Sequence, residues 1–374
     1  MVAGVESVVV VGAGSFGASL AWWLARDGVQ VTLVDQFTPG DARATSGGET
    51  RLIRASHGAD EDYTRMSRRA LGLWRELEAD SGEELVVDCG LAWFAHRAGG
   101  WEDASETVLR RLGIPCERLD PDAAARLFPS FSGDDLSHVL LEPEAGALRA
   151  ARAVRALASC AASSGVRLVR SRASPEGETV RLDDGTRLEG DLVVWACGAW
   201  LPGLFGDLVH LRVTHQNLFF YDGGSAWRSA PAWVDYDAAM YGTPDIDALG
   251  VKLAPDSEGP EVSADDDLPE PDFAAEREGR AYMGRRFPAL ADAPRIGATS
   301  CRYELSPDSH FIAAPHPNHA SVWLYGGGSG HGFKHGPALA ERLVGALRGG
   351  TPLPARFALG ERDPGSSLRT AGSS

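Results

Sequence analysis

The chain has 374 residues, 44% of them hydrophobic and ten of them Trp, enough for one large α/β domain or two closely joined domains with a sizeable core. Its formal net charge of −16 argues against nucleic acid or an anionic membrane surface as a partner, because phosphate recognition needs a basic face. No apolar run approaches the ~18 residues of a membrane span, and five scattered cysteines without CxxC spacing indicate neither a disulfide framework nor a zinc site, so a cytoplasmic protein is expected.

The first element is SVVVVGAGSFGASLAWWLARDGVQVTLVD, residues 7–35, which reads as strand, glycine turn, helix and second strand. The unbroken VVVV suits a strand buried on both faces of a parallel sheet, and Gly28 ends the helix. Gly12, Gly14 and Gly17 form G-x-G-x-x-G, with Ser15 and Phe16 opening the helix. The first glycine permits the tight turn, the second lets backbone approach a pyrophosphate, and the third lets helix pack on strand. Asp35 closes the second strand 23 residues after Gly12, where a carboxylate can accept the ribose hydroxyls of an adenosine. The apolar N-terminus lacks the basic flank of a signal peptide, and this dinucleotide pattern explains its glycines.

A loop carrying Arg43, Arg51 and Arg54 follows, then a helical stretch near 63–82 and the β-rich LVVDCGLAWFAH. AARAVRALASCAASSGVRLVR reads as a helix feeding a strand, and VRLDDGTRLEGDLVVWACGAW as a hairpin followed by a buried strand. Residues 209–250 are strand-like and aromatic, and 255–272 form an acidic, Pro-rich solvated loop. From 299 the sheet-and-helix style returns, ending in the helix GPALAERLVGALRG, and residues 361–374 read as disordered. Two of the 36 basic side chains are lysine, Lys252 in GVKL and Lys334 in GGGSGHGFKHG. A long ammonium kept inside a glycine-rich turn points to a need for lysine there.

Together GAGSFG, ETRLIR, EPEAG, WACGAW, YGTP with GVKL, and the block from Cys301 through SPDSHF to GSGHGFK resemble the monomeric sarcosine oxidase family of amine-oxidising flavoproteins. The resemblance covers most of the chain. It implies an α/β fold: a Rossmann-like FAD-binding domain with a parallel sheet, assembled from 1–78, 141–208 and 305–374. A largely antiparallel substrate domain would come from 79–140 and 209–304. It implies FAD bound covalently through Cys301, with Arg51, Gly330, His331 and Gly332 beside the flavin and Tyr241 on the substrate side. Arg54 and Lys334 would hold the substrate carboxylate, and Lys252 would promote reaction with oxygen. A preplaced cation stabilises negative charge as it develops, which agrees with that role.

Two family histidines appear here as Gly47 and Asp256. Glycine at 47 is expected to enlarge the site, and an inward Asp256 to bind a second polar or cationic group, so the resemblance does not carry sarcosine over as substrate. The expected activity is FAD-dependent oxidation of a secondary amino acid, N-methylated or cyclic, to an imine and hydrogen peroxide by a monomer. The competing readings are a dehydrogenase passing electrons to a partner protein and a non-catalytic flavin-binding subunit.

Overall fold

The computed structural model describes residues 4–364. Ser7–Val11 is a central strand, paired in parallel with Gln30–Asp35 on one side and Leu192–Trp195 on the other. Arg167–Arg170 extends the sheet at one end, while His319–Gly326 and its antiparallel neighbour Ile312–His316 extend it at the other. Val8 and Val10 face one core with the helices, and Val9 and Val11 face another with Val180, Leu182 and Leu188 of a small antiparallel sheet. Burial on both faces is why this strand lacks polar alternation.

The helix Glu61–Ser81 shows how the sequence sets an element. Asp60 caps it by accepting the Tyr63 N–H at 2.9 Å, Glu61 and Asp62 stand in the first turn, and left-handed Gly82 (φ 70°) ends it. Tyr63, Met66, Ala70, Leu73, Trp74 and Leu77 recur at helical spacing and are buried in the first core. Truncating Leu73 or Trp74 to Ala would cost about 3–5 kcal/mol.

An eight-stranded sheet supplies the second half of the site. Its order runs Arg295–Leu305, Arg212–Tyr221, Val251–Pro255, Met240–Thr243, Ala232–Asp235, Leu91–Ala95, His138–Glu142, Glu117–Leu119. All neighbours are antiparallel except Ala232–Asp235 against Leu91–Ala95. Phe219, Tyr221, Trp233 and Leu253 pack from this sheet against Tyr282 and Met283 of the helix Phe273–Arg286. That helix and Trp101–Arg111 have no counterpart in the sequence reading; Phe273–Arg286 buries mainly Gly279, Tyr282, Met283 and Arg286, too few apolar positions to show a period.

The disordered reading of 361–374 fails at its start. Arg362 is nearly buried, pairs with Asp308 at 2.8 Å and donates to the carbonyls of Ala358, His310 and Phe311. Residues 365–374 lie outside the described part. No helix among the described residues is long and apolar enough to cross a membrane.

Candidate active site

A trench of about 490 Å³ opens at the C-terminal end of the parallel sheet, lined by Gly12, Gly14, Ser15, Phe16 and Asp35. Gly12 has φ +104°, and a Cβ on it would meet the Ala196 carbonyl oxygen at 2.3 Å. Gly17 does not line the trench; its Cβ would strike the Gly12 oxygen at 1.8 Å, so glycine there lets the helix Ser15–Arg26 sit on the strand. A Cβ on Gly14 would stand 2.9 Å from Ser46 Oγ, which accepts the Ser15 N–H at 2.9 Å. The Ser15 hydroxyl donates to the Phe333 carbonyl at 2.8 Å, joining the first glycine turn to the second. Phe16 packs edge-on against Phe311 with centroids 5.5 Å apart.

Asp35 already accepts the Ala13 and Phe37 N–H groups at 2.6 and 2.7 Å, and burial raises its carboxyl pKa against those bonds. Glu304 is a second acid on the trench wall, buried and pushed above the usual carboxylate range by desolvation. Its Oε1 accepts the Gly328 N–H at 3.1 Å, and the Thr45 hydroxyl and that N–H both oppose the rise. A glycine-walled cradle, a helix N-terminus and a buried carboxylate able to accept further hydrogen bonds fit a dinucleotide.

A second cavity of about 120 Å³ adjoins the trench, and Arg51, Tyr303, Gly330 and Phe333 line both. Arg51 donates to the carbonyls of Thr50, Thr45 and Gly47 at 2.9, 3.1 and 2.7 Å. Arg54 donates to the Ser56 carbonyl, with its guanidinium 4.9 Å from the Trp93 ring centroid and 5.8 Å from that of Trp101. The EPEAG motif explains the shape of this loop: buried Glu142 accepts the Ala55 N–H and the Trp93 indole N–H, both at 2.9 Å. Lys334 enters from the short turn Phe333–His335, 3% exposed, and donates to the His331 carbonyl at 2.8 Å. Burial, then Arg54, depress its pKa well below the ordinary lysine value, with Glu142 opposing. Two cations forced together in this way favour an anionic guest.

Lys252 and Cys301 lie behind the cavity walls. The Lys252 ammonium donates to the Thr50 carbonyl and hydroxyl at 3.2 and 3.4 Å and stands 5.2 Å from the Tyr241 ring centroid. Burial and Arg51 push its pKa down to about 7. Cys301 is buried among Leu218, Phe220, Ala254 and Tyr303. Desolvation raises its thiol, and the Arg51 and Lys252 charges act against that rise. Tyr241 lines the cavity, its hydroxyl 3.5 Å from that of Tyr303 and its pKa pushed up to about 12 by burial.

Gly330 (φ +72°) turns the chain between the cavities, and a Cβ on Gly332 would meet Gly328 Cα at 2.6 Å. His331 has its Nε2 2.9 Å from the Ser309 carbonyl and stacks on Phe311. Nitrogens of His57, His331 and His335 converge within 4.8 Å, close enough for one metal ion. Burial, Arg54 and Lys334 all depress the His57 pKa, and the same positive surroundings oppose a bound metal cation.

One expectation is corrected. Gly47 does not enlarge the cavity: a Cβ there would meet the Asp41 oxygen at 2.3 Å and Ala42 Cα at 2.8 Å, so loop backbone fills the space. Asp256 does line the cavity. Sequence reasoning passed over Trp93, Trp101, Tyr303 and Glu304, which belong to no motif of fixed spacing.

The FAD dependent oxidoreductase model (DAO) matches residues 7–346. Monomeric sarcosine oxidase of Streptomyces avermitilis is 30% identical, covering 93% of this chain and 95% of the relative. N-methyl-L-tryptophan oxidase of Yersinia pestis is 27% identical over 89% of this chain and 92% of its own. Among solved structures, L-proline dehydrogenase from P. horikoshii superposes with a TM-score of 0.83 at 21% identity, covering 96% of each chain. NikD, described as an unusual amino acid oxidase, gives 0.79 at 22% identity, covering 95% of this chain and 98% of that one. The glycine cradle, the adjoining cavity and these likenesses agree: the chain belongs to the FAD dependent oxidoreductases, and among them to the monomeric sarcosine oxidase family.

Proposed function

We propose that this FAD-dependent oxidoreductase oxidises a secondary amino acid, N-methylated or cyclic, to an imine, with oxygen as acceptor and hydrogen peroxide as product. The observation that carries the reading is Arg54 and Lys334 together on the wall of a small aromatic cavity that shares Arg51, Tyr303, Gly330 and Phe333 with the dinucleotide trench. Bound FAD supplies the two-electron acceptor. The protein grips the carboxylate through Arg54 and Lys334, which relieves their repulsion and orients the amine. The aromatic walls limit water around the reacting nitrogen and favour its neutral form. Lys252, whose pKa burial and Arg51 push down to about 7, offers positive charge close to the shared wall, where oxygen reduction needs it.

Covalent flavin attachment through Cys301, a monomeric state and a division into the two discontinuous domains set out above belong to the same proposal. The test is direct: the purified protein mixed with N-methyl and cyclic amino acids should bleach its flavin anaerobically and release peroxide in air. Bleaching without peroxide would replace the oxidase reading with a dehydrogenase. For attachment, wild-type flavin should stay with acid-precipitated polypeptide, and Cys301→Ser should release it; free flavin from the wild type would sink the covalent link.

A further inference from the structure

The small cavity carries both signs of charge. Among the described residues, Asp256 is the only carboxylate lining it. Asp256 follows the strand Val251–Pro255, is half-buried, and is fixed by its N–H donating to the Ala239 carbonyl at 2.7 Å. Its Oδ1 accepts the Tyr303 hydroxyl at 3.1 Å. The rest of the lining is rich in aromatic faces: Trp101 stacks on Tyr236 at 5.2 Å and meets Trp93 at 4.4 Å, while Tyr241 and Tyr303 stand beside the carboxylate.

This combination discriminates among substrate side chains. A neutral alkyl group would cover Asp256, strip its water and give no charge in return. An acidic group would be repelled. A cation meets both a carboxylate and the negative faces of aromatic rings, and each attraction strengthens as water leaves. Resting on the carboxylate-clamp reading above, we infer that the substrate is a secondary amino acid whose side chain ends in a cationic nitrogen, received by Asp256 between Tyr241 and Tyr303 while the α-carboxylate goes to Arg54 and Lys334. The approximately 120 Å³ of cavity space restricts that side chain to a short one.

The rival use of Asp256 is pairing with the reacting nitrogen itself, and a substrate series separates the two. Holoenzyme is mixed anaerobically with Nα-methyl-L-2,4-diaminobutyrate, Nα-methyl-L-ornithine, the neutral N-methyl-L-norvaline, the acidic N-methyl-L-glutamate and sarcosine, and flavin reduction is followed for kcat/KM. Wild type should favour the cationic substrates over norvaline by roughly 10- to 100-fold. That ratio should collapse toward one in Asp256→Asn, and Asp256→Lys should turn the preference toward glutamate, each variant first checked for an unchanged flavin spectrum. A wild type that prefers norvaline, or an Asp256→Asn protein in which every substrate slows together and the ratio survives, would overturn the inference. If no amine, sarcosine and L-proline included, reduces the flavin, the oxidation reading falls and takes this inference with it.

Discussion

The trench and the small cavity share a wall yet are built on opposite principles. The trench leans on glycine backbone, because Gly12 and Gly332 would drive a Cβ into neighbouring chain and Gly12 and Gly330 hold a positive φ, with side chains such as Asp35 and Glu304 completing it. The cavity is made of side chains, with Arg54, Trp93, Trp101, Tyr241, Asp256, Tyr303 and Lys334 arriving from separate segments. A wall of backbone tolerates almost no substitution and so holds one ligand. A wall of side chains can be changed residue by residue without unfolding the protein, which lets specificity vary on a constant chemistry.

The largest effect is expected at Gly17, which lines neither wall but seats the helix Ser15–Arg26 behind the trench. Gly17→Ala puts a methyl group 1.8 Å from the Gly12 oxygen, with the Ala196 Cβ 3.0 Å away and no flexible side chain among the nearest atoms. We expect loss of more than about 3 kcal/mol of stability and of bound flavin, read by thermal denaturation and visible absorbance. A yellow Gly17→Ala protein of unchanged melting temperature would mean that the helix Ser15–Arg26 can lift off the strand without cost.

Next comes Lys252, which faces neither wall directly. Lys252→Met should leave anaerobic flavin reduction in place and slow reoxidation by oxygen about 10²-fold. In the wild type, reoxidation should fall as pH rises through the lysine pKa, because the charged form is the useful one. Burial and the Arg51 charge push that pKa down to about 7. Stability runs the other way. The folded pKa lies below the unfolded one, so the unfolded chain binds more protons, and ligand-free wild type should lose stability relative to Lys252→Met as pH falls from about 10 to 7, by about 4 kcal/mol at most. Equal pH profiles for the two melting curves would mean the ammonium is better solvated than its burial implies.

The smallest effect is expected in the cavity. Lys334→Met should weaken binding of simple carboxylate ligands roughly 10- to 100-fold and of their amides much less, by flavin spectral titration. Lys334→Arg should recover only part, since a planar fork needs more room than the turn Phe333–His335 leaves around a 3% exposed side chain. Equal weakening of acid and amide would make Lys334 a residue that shapes the turn.

This contrast also explains what could be read from the sequence. Gly12, Gly14, Gly17 and Asp35 were legible because backbone geometry demands those types at fixed spacing within one βαβ unit. Arg54, Lys252 and Lys334 were legible through resemblance and through the rarity of lysine. Trp93 was not, because a Trp in a buried strand looks like core until the fold shows which face it presents, and Trp101 and Glu304 were not because no motif marks them. Gly47 misled for a related reason: a missing side chain reads as space, but the backbone of Asp41 and Ala42 already occupies it. The helix Phe273–Arg286 escaped because its contacts come from glycine, arginine and two large residues, which leave no 3.6-residue period.

The bond from the Ser15 hydroxyl to the Phe333 carbonyl spans 318 residues, and the indole of Trp23 reaches Pro337 across 314. The central strand Ser7–Val11 likewise waits for Leu192–Trp195, and that strand in turn for His319–Gly326. A ribosome therefore releases nearly the whole polypeptide before the nucleotide pocket can close around anything. Nascent chains should emerge colourless, capture flavin only after synthesis ends, and spend that interval exposing the valines of their first strand to chaperones and to one another.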